Sequence, residues 1–144
     1  MSKSEDELFN SSVVPYRILI LCVGNTCRSI MYEAILKNQK RANVVIESAG
    51  FKAKEDYISE NTKRILKENG LPLYNKKPTN IEEINKDITY DEVVILDSKY
   101  NQDNLNELKY RKVITHSVFD PEGENFETYE EVFKEIKSII ENGF

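Results

Sequence analysis

Four short apolar runs recur along the chain, each bounded by polar residues. They lie at residues 18–21, 44–46, 93–96 and 113–114. Strands covered on both faces have such continuous apolar runs, whereas half-exposed strands alternate apolar with polar residues. The pattern therefore predicts a parallel sheet with cover on both faces.

Helical patterns separate or follow these runs. One predicted helix ends before Gly70, and its spacing puts on one face Thr62, Ile65, Leu66 and Asn69. A longer amphipathic helix is predicted near the C-terminus, with Asn125 as its N-cap. The apolar positions of that helix are Phe126, Tyr129, Val132, Phe133, Ile136, Ile139 and Ile140. Strands alternating with helices indicate an α/β fold.

Composition and charge narrow the class of protein. The chain has 144 residues, the size of one ordinary domain, with 40% hydrophobic and 31% charged residues. Its net charge of −5 argues against nucleic acid and acidic membranes as partners, because both reward an excess of Lys and Arg. Two cysteines, Cys22 and Cys27, are too few for a disulfide framework or a four-cysteine zinc site. We therefore predict no metal site.

The N-terminal segment carries Ser and acidic residues instead of the basic, apolar and small-residue succession of a signal peptide. No apolar run approaches the roughly 20 residues that a membrane span needs. We therefore expect a cytoplasmic protein without a membrane partner. Residues 1–14 are expected to form a mobile N-terminal extension, and residues 15–144 a single domain.

The strongest functional signal lies where the first predicted strand runs into a helix. Residues 17–22 lead into a short polar loop, and residues 30–36 have helical composition. A strand, a tight loop and a helix in that order gather backbone N–H groups and the positive helix end around one point, where they can bind a tetrahedral oxyanion. The predicted phosphate-binding residues are Val23, Gly24, Asn25, Thr26, Cys27, Arg28 and Ser29.

Side chains of this loop predict phosphate-transfer chemistry. Cys22 lies at the base of the loop, where a thiol loses its proton readily and becomes a nucleophile. Arg28 can bind two phosphate oxygens through a guanidinium fork, a task that Lys performs poorly. Ser29 is expected to cap the helix and to offer its hydroxyl to the Cys22 sulfur. Gly24 permits backbone angles closed to other residues, and Asn25 tolerates a left-handed conformation while its side chain can brace the turn.

The loop and several later segments resemble the low-molecular-weight protein tyrosine phosphatase family. That family has the pattern Cys-x-Gly-Asn-x-Cys-Arg-Ser after its first strand, as residues 22–29 have here. Residues 47–50 and 91–97 are similar to its next two motifs, and Asp120-Pro121 followed by residues 126–129 is similar to its late loop and final helix. The resemblance covers nearly the whole chain.

The resemblance implies a fold, an activity and a further catalytic residue. The fold is α/β, a four-stranded parallel sheet flanked by helices on both faces, with the phosphate loop between the first strand and the first helix. The activity is hydrolysis of phosphotyrosine in proteins, or of small aryl phosphates, through a phosphocysteine at Cys22 without metal or cofactor. Asp120 would be the general acid that protonates the leaving phenolate and then the base that activates water. Residues 15–144 would form the phosphatase domain.

Four features depart from the family pattern, the first being Ile30, which stands where a Pro usually opens the helix. Asn75 falls near where a His often braces the loop. Glu122-Gly123 stands where the family commonly has aromatic residues that wall the site. A further aromatic residue is missing at its usual place after Ser-Ala-Gly, although Phe51 or Tyr57 could substitute. We therefore expect the thiolate chemistry to be retained and the binding of phosphotyrosine peptides to be weakened.

Other functions stay open at this point. Arsenate reductases with this loop use the thiolate to attack arsenate, and reduction by an external small thiol fits the chain, although a relay through cysteines after Cys27 does not. A module that binds phosphate without turnover is another alternative, as is a redox sensor in which Cys22 and Cys27 form a disulfide. His116 is assigned a structural or surface role. The sequence predicts neither the physiological substrate nor the oligomeric state.

Overall fold

The computed structural model describes residues 14–143, in which four strands form one sheet. The strands are β1, Tyr16–Cys22; β2, Val44–Gly50; β3, Thr89–Ile95; and β4, Lys109–Thr115. Their order is β2-β1-β3-β4, and every neighbouring pair is parallel. The predicted α/β fold with a four-stranded parallel sheet is confirmed, and the four apolar runs mark the four strands, the third run extending one residue beyond β3.

Two α-helices and two short 3₁₀ turns lie between the strands, and a third α-helix follows β4. The helices are α1, Arg28–Asn38; α2, Glu60–Glu68; and α3, Phe126–Glu141, and the turns are Ile81–Glu83 and Gln102–Asn104. Asn125 caps α3 as predicted, because its side chain accepts from the Thr128 N–H at 3.0 Å. Gly70, just beyond α2, has a φ of 69°, the left-handed conformation that ends many helices.

Alternate residues of β1 face two separate apolar clusters. Ile18 and Ile20 pack with the buried faces of the three α-helices. Leu19 and Leu21 pack on the opposite side, with Leu105 and with the 3₁₀ turn at Ile81–Glu83. Helical segments therefore cover both faces, which explains why the strands are apolar throughout instead of alternating.

The strand order sets the surroundings of the candidate site. β1 lies between β2 and β3, and Cys22 at its carboxyl end pairs with Gly50 at the end of β2. The segments that follow β2, β3 and β4 therefore meet the 22–29 loop at one edge of the sheet. Ligands of open α/β sheets bind at this carboxyl edge.

The sequence predicted a mobile N-terminal extension and no membrane span. The extension predicted over residues 1–14 lies outside the described residues apart from Val14. Across residues 14–143, every helix is too short or too polar to cross a membrane.

Candidate active site

The 22–29 loop joins the central strand to α1 and is almost closed to solvent. Cys22 is 2% exposed, and Asn25 and Ser29 are fully buried. Asn25 takes the predicted left-handed conformation, with a φ of 57°. Its backbone N–H donates to Cys22 Sγ at 3.3 Å, so the turn at Asn25 aims an amide at the sulfur.

Several backbone donors of the loop have no acceptor among the described residues. The amide N–H groups of Gly24, Thr26 and Cys27 donate to no backbone carbonyl in residues 14–143. Buried amides nearly always have a partner, and amides at a helix N-terminus favour an anion because the helix dipole is positive there. The loop can therefore bind a tetrahedral anion next to the Cys22 sulfur.

A chain of hydrogen bonds behind the loop orients the hydroxyl that faces the sulfur. The buried Glu33 carboxylate accepts from Ser48 Oγ at 2.5 Å, so Ser48 must accept from the Asn25 amide, which it does at 3.1 Å. The same Asn25 Nδ2 donates to Ser29 Oγ at 2.7 Å. Ser29 Oγ thus has its own proton available for Cys22 Sγ, which lies 3.0 Å away.

Asn75 completes this network from outside the loop. Its Nδ2 donates to Glu33 Oε1 at 2.8 Å and to Ser48 Oγ at 3.1 Å. Lys37 pairs with the other Glu33 oxygen at 2.7 Å, which compensates the buried negative charge. Asn75, named from the sequence as a departure from the family pattern, therefore still braces the loop through Ser48.

Arg28 lies behind the loop with one edge of its guanidinium fixed and the other available. Nη1 donates to Asp97 Oδ2 at 3.0 Å and to the carbonyls of Leu96 and Val118 at 3.1 and 2.8 Å. Nε is buried without a hydrogen-bond partner among the described residues. Because Nη1 is held by three acceptors, the Nε–Nη2 edge is the one that can bind two oxygens of an anion.

Asp120 reaches the same guanidinium from the segment after β4. Its Oδ2 lies 3.5 Å from Arg28 Nη2, and its side chain is 45% exposed. Its Oδ1 accepts from the Glu122 backbone N–H at 3.1 Å, which orients the carboxylate from within its own loop. Asp120 therefore lies at the edge of the anion site, where it can meet both a bound group and water.

One expectation about the loop is wrong, and Gly24 does not use the conformational freedom that glycine permits. Ser29 does not cap α1, because the helix begins at Arg28 and its N-cap is Cys27, which makes no side-chain capping bond. Gly24 does not adopt a positive φ, and a Cβ added there would meet only Thr26 Oγ1 at 3.7 Å. The glycine that the loop requires is Gly50, where an added Cβ would lie 2.5 Å from the Val23 carbonyl oxygen.

The side chain of the loop's second cysteine is buried against α3. Cys27 is 3% exposed, and its Sγ contacts Tyr129 OH at 3.6 Å. Burial raises the pKa of the Cys27 thiol, so this thiol is held protonated. Cys22 and Cys27 are both free.

The remaining polar candidates form neither a metal site nor a Cys/His pair in the described part of the chain. No group of three or more metal-binding side chains occurs among residues 14–143. No hydrogen bond joins the His116 ring to Cys22, and His116 Nε2 is buried without a partner in the same residues. Burial lowers the pKa of His116, which favours a neutral ring.

The aromatic residues near the site differ in exposure. Phe51 stacks on Tyr100 with ring centroids 4.2 Å apart, and this contact holds its ring in place. Tyr57 and Phe119 are 58% and 60% exposed. Of the two aromatic substitutes named from the sequence, Tyr57 is the one with a largely free ring, and Phe119, directly before Asp120, adds a second exposed ring.

Sequence reasoning missed two charged residues of the site. Asp97 holds Arg28, and the only available signal was an Asp just after the third apolar run. Glu33 is 3% exposed and anchors the hydrogen bonds behind the loop. Its signal was a carboxylate within the first turns of a predicted helix, which is usually a solvated position.

The strand-to-helix junction carries a buried thiol, backbone amides that can bind an anion, and a guanidinium with one edge available. Together these groups define a cysteine-based oxyanion site. The model of the low molecular weight phosphotyrosine protein phosphatase family matches residues 17–143. The chain belongs to this family. It is accordingly an enzyme of the phosphatase class.

Individual relatives carry three different activities in their names. A protein-arginine-phosphatase from Geobacillus stearothermophilus is 48% identical over 59 residues, a match that spans 40% of each chain. The solved structure of an arginine phosphatase from that organism is 28% identical, with a TM-score of 0.71 over 88% of this chain and 89% of that one.

The other two activities come from solved structures. A low molecular weight protein tyrosine phosphatase from T. tengcongensis is 26% identical, with a TM-score of 0.75 and coverage of 88% of this chain and 95% of that chain. An arsenate reductase from Archaeoglobus fulgidus is 29% identical, with a TM-score of 0.71 and coverage of 87% and 96%. Family membership thus establishes the fold and the class of enzyme, whereas the substrate has to be inferred from the site.

Proposed function

We propose that residues 15–144 form one phosphatase domain that hydrolyses phosphotyrosine in proteins, or related aryl phosphates, through a phosphocysteine at Cys22. The observation that carries this proposal is the available Nε–Nη2 edge of buried Arg28 beside loop amides that have no backbone acceptor within residues 14–143. Such donors match the equatorial oxygens of a phosphoryl group in its transition state. The natural partner would be a phosphorylated protein in the cytoplasm.

The first step transfers the phosphoryl group to sulfur. The Cys22 thiolate attacks phosphorus, an S–P bond forms and the bond from phosphorus to the leaving oxygen breaks. The electron pair leaves with that oxygen, which takes a proton from the Asp120 carboxyl group. Arg28 and the loop amides compensate the charge on the three remaining phosphoryl oxygens.

The second step regenerates the enzyme. The Asp120 carboxylate takes a proton from water, the water oxygen attacks phosphorus and the S–P bond breaks. The departing thiolate accepts the hydrogen bond from Ser29 Oγ, 3.0 Å away. Inorganic phosphate leaves, and neither step needs a metal or a cofactor.

The deciding measurement is steady-state hydrolysis of p-nitrophenyl phosphate by the wild type and by Cys22→Ser. The Ser variant should show no turnover, because a serine hydroxyl stays protonated where a thiol can ionise. Cys27→Ser is the matched control, and it should keep measurable turnover because only its backbone amide faces the anion. Turnover by Cys22→Ser would exclude the mechanism.

Folding of the Cys22→Ser variant can be checked with vanadate. This phosphate analogue should inhibit the wild type and still raise the Tm of the Cys22→Ser protein, because ligand binding stabilises the folded state by mass action. A variant that neither turns over substrate nor responds to vanadate would point to a damaged loop instead of a missing nucleophile.

Phosphoarginine is a second candidate substrate, favoured by the arginine phosphatase relative and by the site rim. Glu122 is exposed two residues after Asp120, where aromatic residues were expected. A carboxylate there suits a cationic phosphoguanidinium group better than a phenyl ring. Two peptides of equal sequence, one with phosphotyrosine and one with phosphoarginine, would separate the candidates by their kcat/KM values.

Arsenate reduction is the third candidate, because one similar structure is of an arsenate reductase. The chain has two cysteines, and none follows Cys27, so a reductant would have to be an external small thiol. Thiol-dependent arsenate reduction and aryl phosphate hydrolysis should be measured on one preparation. Reduction without hydrolysis would replace the phosphatase proposal.

A further inference from the structure

A cleft of about 240 Å³ opens beside Arg28, on the side formed by the segments after β3 and β4. Beyond Arg28, Asp97 and Asp120, the side chains that distinguish it are Ser98, Lys99, Ser117 and Phe119. We call these four residues the Lys99 cleft. The cleft shares Arg28 with the anion site. A polypeptide whose phosphoryl group is bound at the anion site would therefore place its adjacent residues within reach of the cleft.

Lys99 is the uncompensated charge of this cleft. Arg28 is paired with Asp97 at 3.0 Å, and within residues 14–143 the Lys99 ammonium group makes no ion pair. Asp120 is uncharged when it holds the proton it donates in the proposed first step. At that stage the charges of Arg28 and Asp97 compensate each other, and Lys99 carries the one remaining positive charge of the cleft.

The rest of the cleft suits a short acidic side chain. Ser117 Oγ and Ser98 Oγ lie 3.4 Å apart, and both residues are exposed, so their hydroxyls can donate to a carboxylate. Phe119 is 60% exposed and offers an apolar surface for a methylene stem. The backbone N–H of Lys99 donates to Asp97 Oδ1 at 2.9 Å, which fixes the start of this segment.

We infer that the Lys99 cleft binds the carboxylate of an Asp or Glu adjacent to the phosphorylated residue of the substrate polypeptide. This inference rests on the proposed phosphatase function. Lys99 is therefore a specificity-determining residue, and the enzyme selects phosphorylated sites with an acidic neighbour.

The test compares two peptides that differ only in the residue directly before, or directly after, the phosphorylated one, Glu in one and Ala in the other. They carry phosphotyrosine or phosphoarginine, whichever the wild type hydrolyses. At one of the two positions the wild type should favour Glu in kcat/KM by about two- to five-fold, the range of an exposed ion pair. Lys99→Gln should abolish this preference, and 0.5 M salt should reduce it in the wild type.

Lys109→Gln is the matched control. Lys109 is exposed at the amino end of β4, at the opposite edge of the sheet, and makes no ion pair within residues 14–143. This variant loses the same charge and should keep the preference. An equal loss in both variants, or no preference in a wild type that hydrolyses p-nitrophenyl phosphate, would overturn the inference. A wild type without aryl phosphate turnover would instead overturn the proposed function.

Discussion

The 22–29 loop and the segment around Asp120 meet at Arg28 but are held in different ways. The loop side chains Asn25 and Ser29 are fully buried and hydrogen-bonded to each other. Asp120 is 45% exposed, and its contacts are the 3.5 Å approach to Arg28 and one backbone amide of its own loop. One region is fixed by its surroundings, and the other can adjust.

This difference follows from the chemistry proposed for each region. An attacking sulfur and its oxyanion donors must be positioned before the reaction, because misplacement by about 1 Å costs roughly 10²-fold in rate. A general acid must reach leaving groups of different shapes and later meet water, which requires exposure. We therefore expect substitutions in the loop to affect all substrates alike, and substitutions around Asp120 to affect them selectively.

The largest selective effect is expected for Asp120→Asn. Hydrolysis of substrates with poor leaving groups should slow by about 10²–10⁴-fold, because an amide cannot protonate the departing oxygen. Activated esters such as p-nitrophenyl phosphate should lose less, since their leaving group departs as a stable anion. The measurement is kcat across a series of aryl phosphates of graded leaving-group pKa.

Asp87→Asn, which removes the same negative charge at an exposed position before β3, controls for altered charge in the Asp120 series. It should leave the dependence on the leaving group as in the wild type. An equal, small loss on all esters in Asp120→Asn would mean that another residue is the acid.

The next effect comes from the back of the loop. In Gly50→Ala the new Cβ would lie 2.5 Å from the Val23 carbonyl oxygen and 3.0 Å from the Asn25 nitrogen, both backbone atoms that cannot rotate away. We expect a loss of about 1–3 kcal/mol in the free energy of unfolding, as for other overpacked sites. Turnover of every substrate should fall by about 10²-fold, because the loop itself must shift.

Gly24→Ala is the comparison for Gly50→Ala. Its Cβ would meet only Thr26 Oγ1 at 3.7 Å, an ordinary contact, so the losses of stability and turnover should be clearly smaller. Denaturant unfolding and aryl phosphate turnover on both variants measure the difference. A larger effect at Gly24 would reverse our assignment of the glycine that the loop requires.

The glycine comparison also shows where sequence reasoning stops. The strands and the 22–29 loop could be predicted because their signals are local: apolar runs, and residue types at fixed spacing around Cys22. Gly50 packs on a loop that begins 28 positions earlier in the chain, so its role depends on the pairing of β1 with β2. Spacing alone drew attention to Gly24, which lies within the motif, and gave no signal for Gly50.

The charged partners of the site were missed for the same reason. Asp97 meets Arg28 only because β3 lies next to β1, and Glu33 meets Ser48 only because α1 packs against β2. Asn75 could be named from the sequence because the family resemblance pointed to that segment, whereas its two hydrogen bonds follow from the fold. Contacts between distant segments can be predicted only once the topology is known, whichever motif the sequence carries.

The smallest expected effect is at the rim, where Glu122→Tyr separates the two candidate phosphoresidues. Glu122 is exposed and follows Pro121, at a position where an aromatic ring could stack on a bound phenyl group. Such stacking contributes about 0.5–1.5 kcal/mol, so KM for phosphotyrosine peptides should fall by about two- to twelve-fold. Because stacking acts on ground and transition states alike, kcat should change little. For phosphoarginine peptides KM should instead rise, because the substitution removes a carboxylate near a cationic group.

Glu131→Tyr, on the exposed side of α3, is the matched control and should leave both values as in the wild type. An unchanged KM for both peptides in Glu122→Tyr would show that the rim does not contact the substrate, and the selectivity would then have to arise within the 22–29 loop.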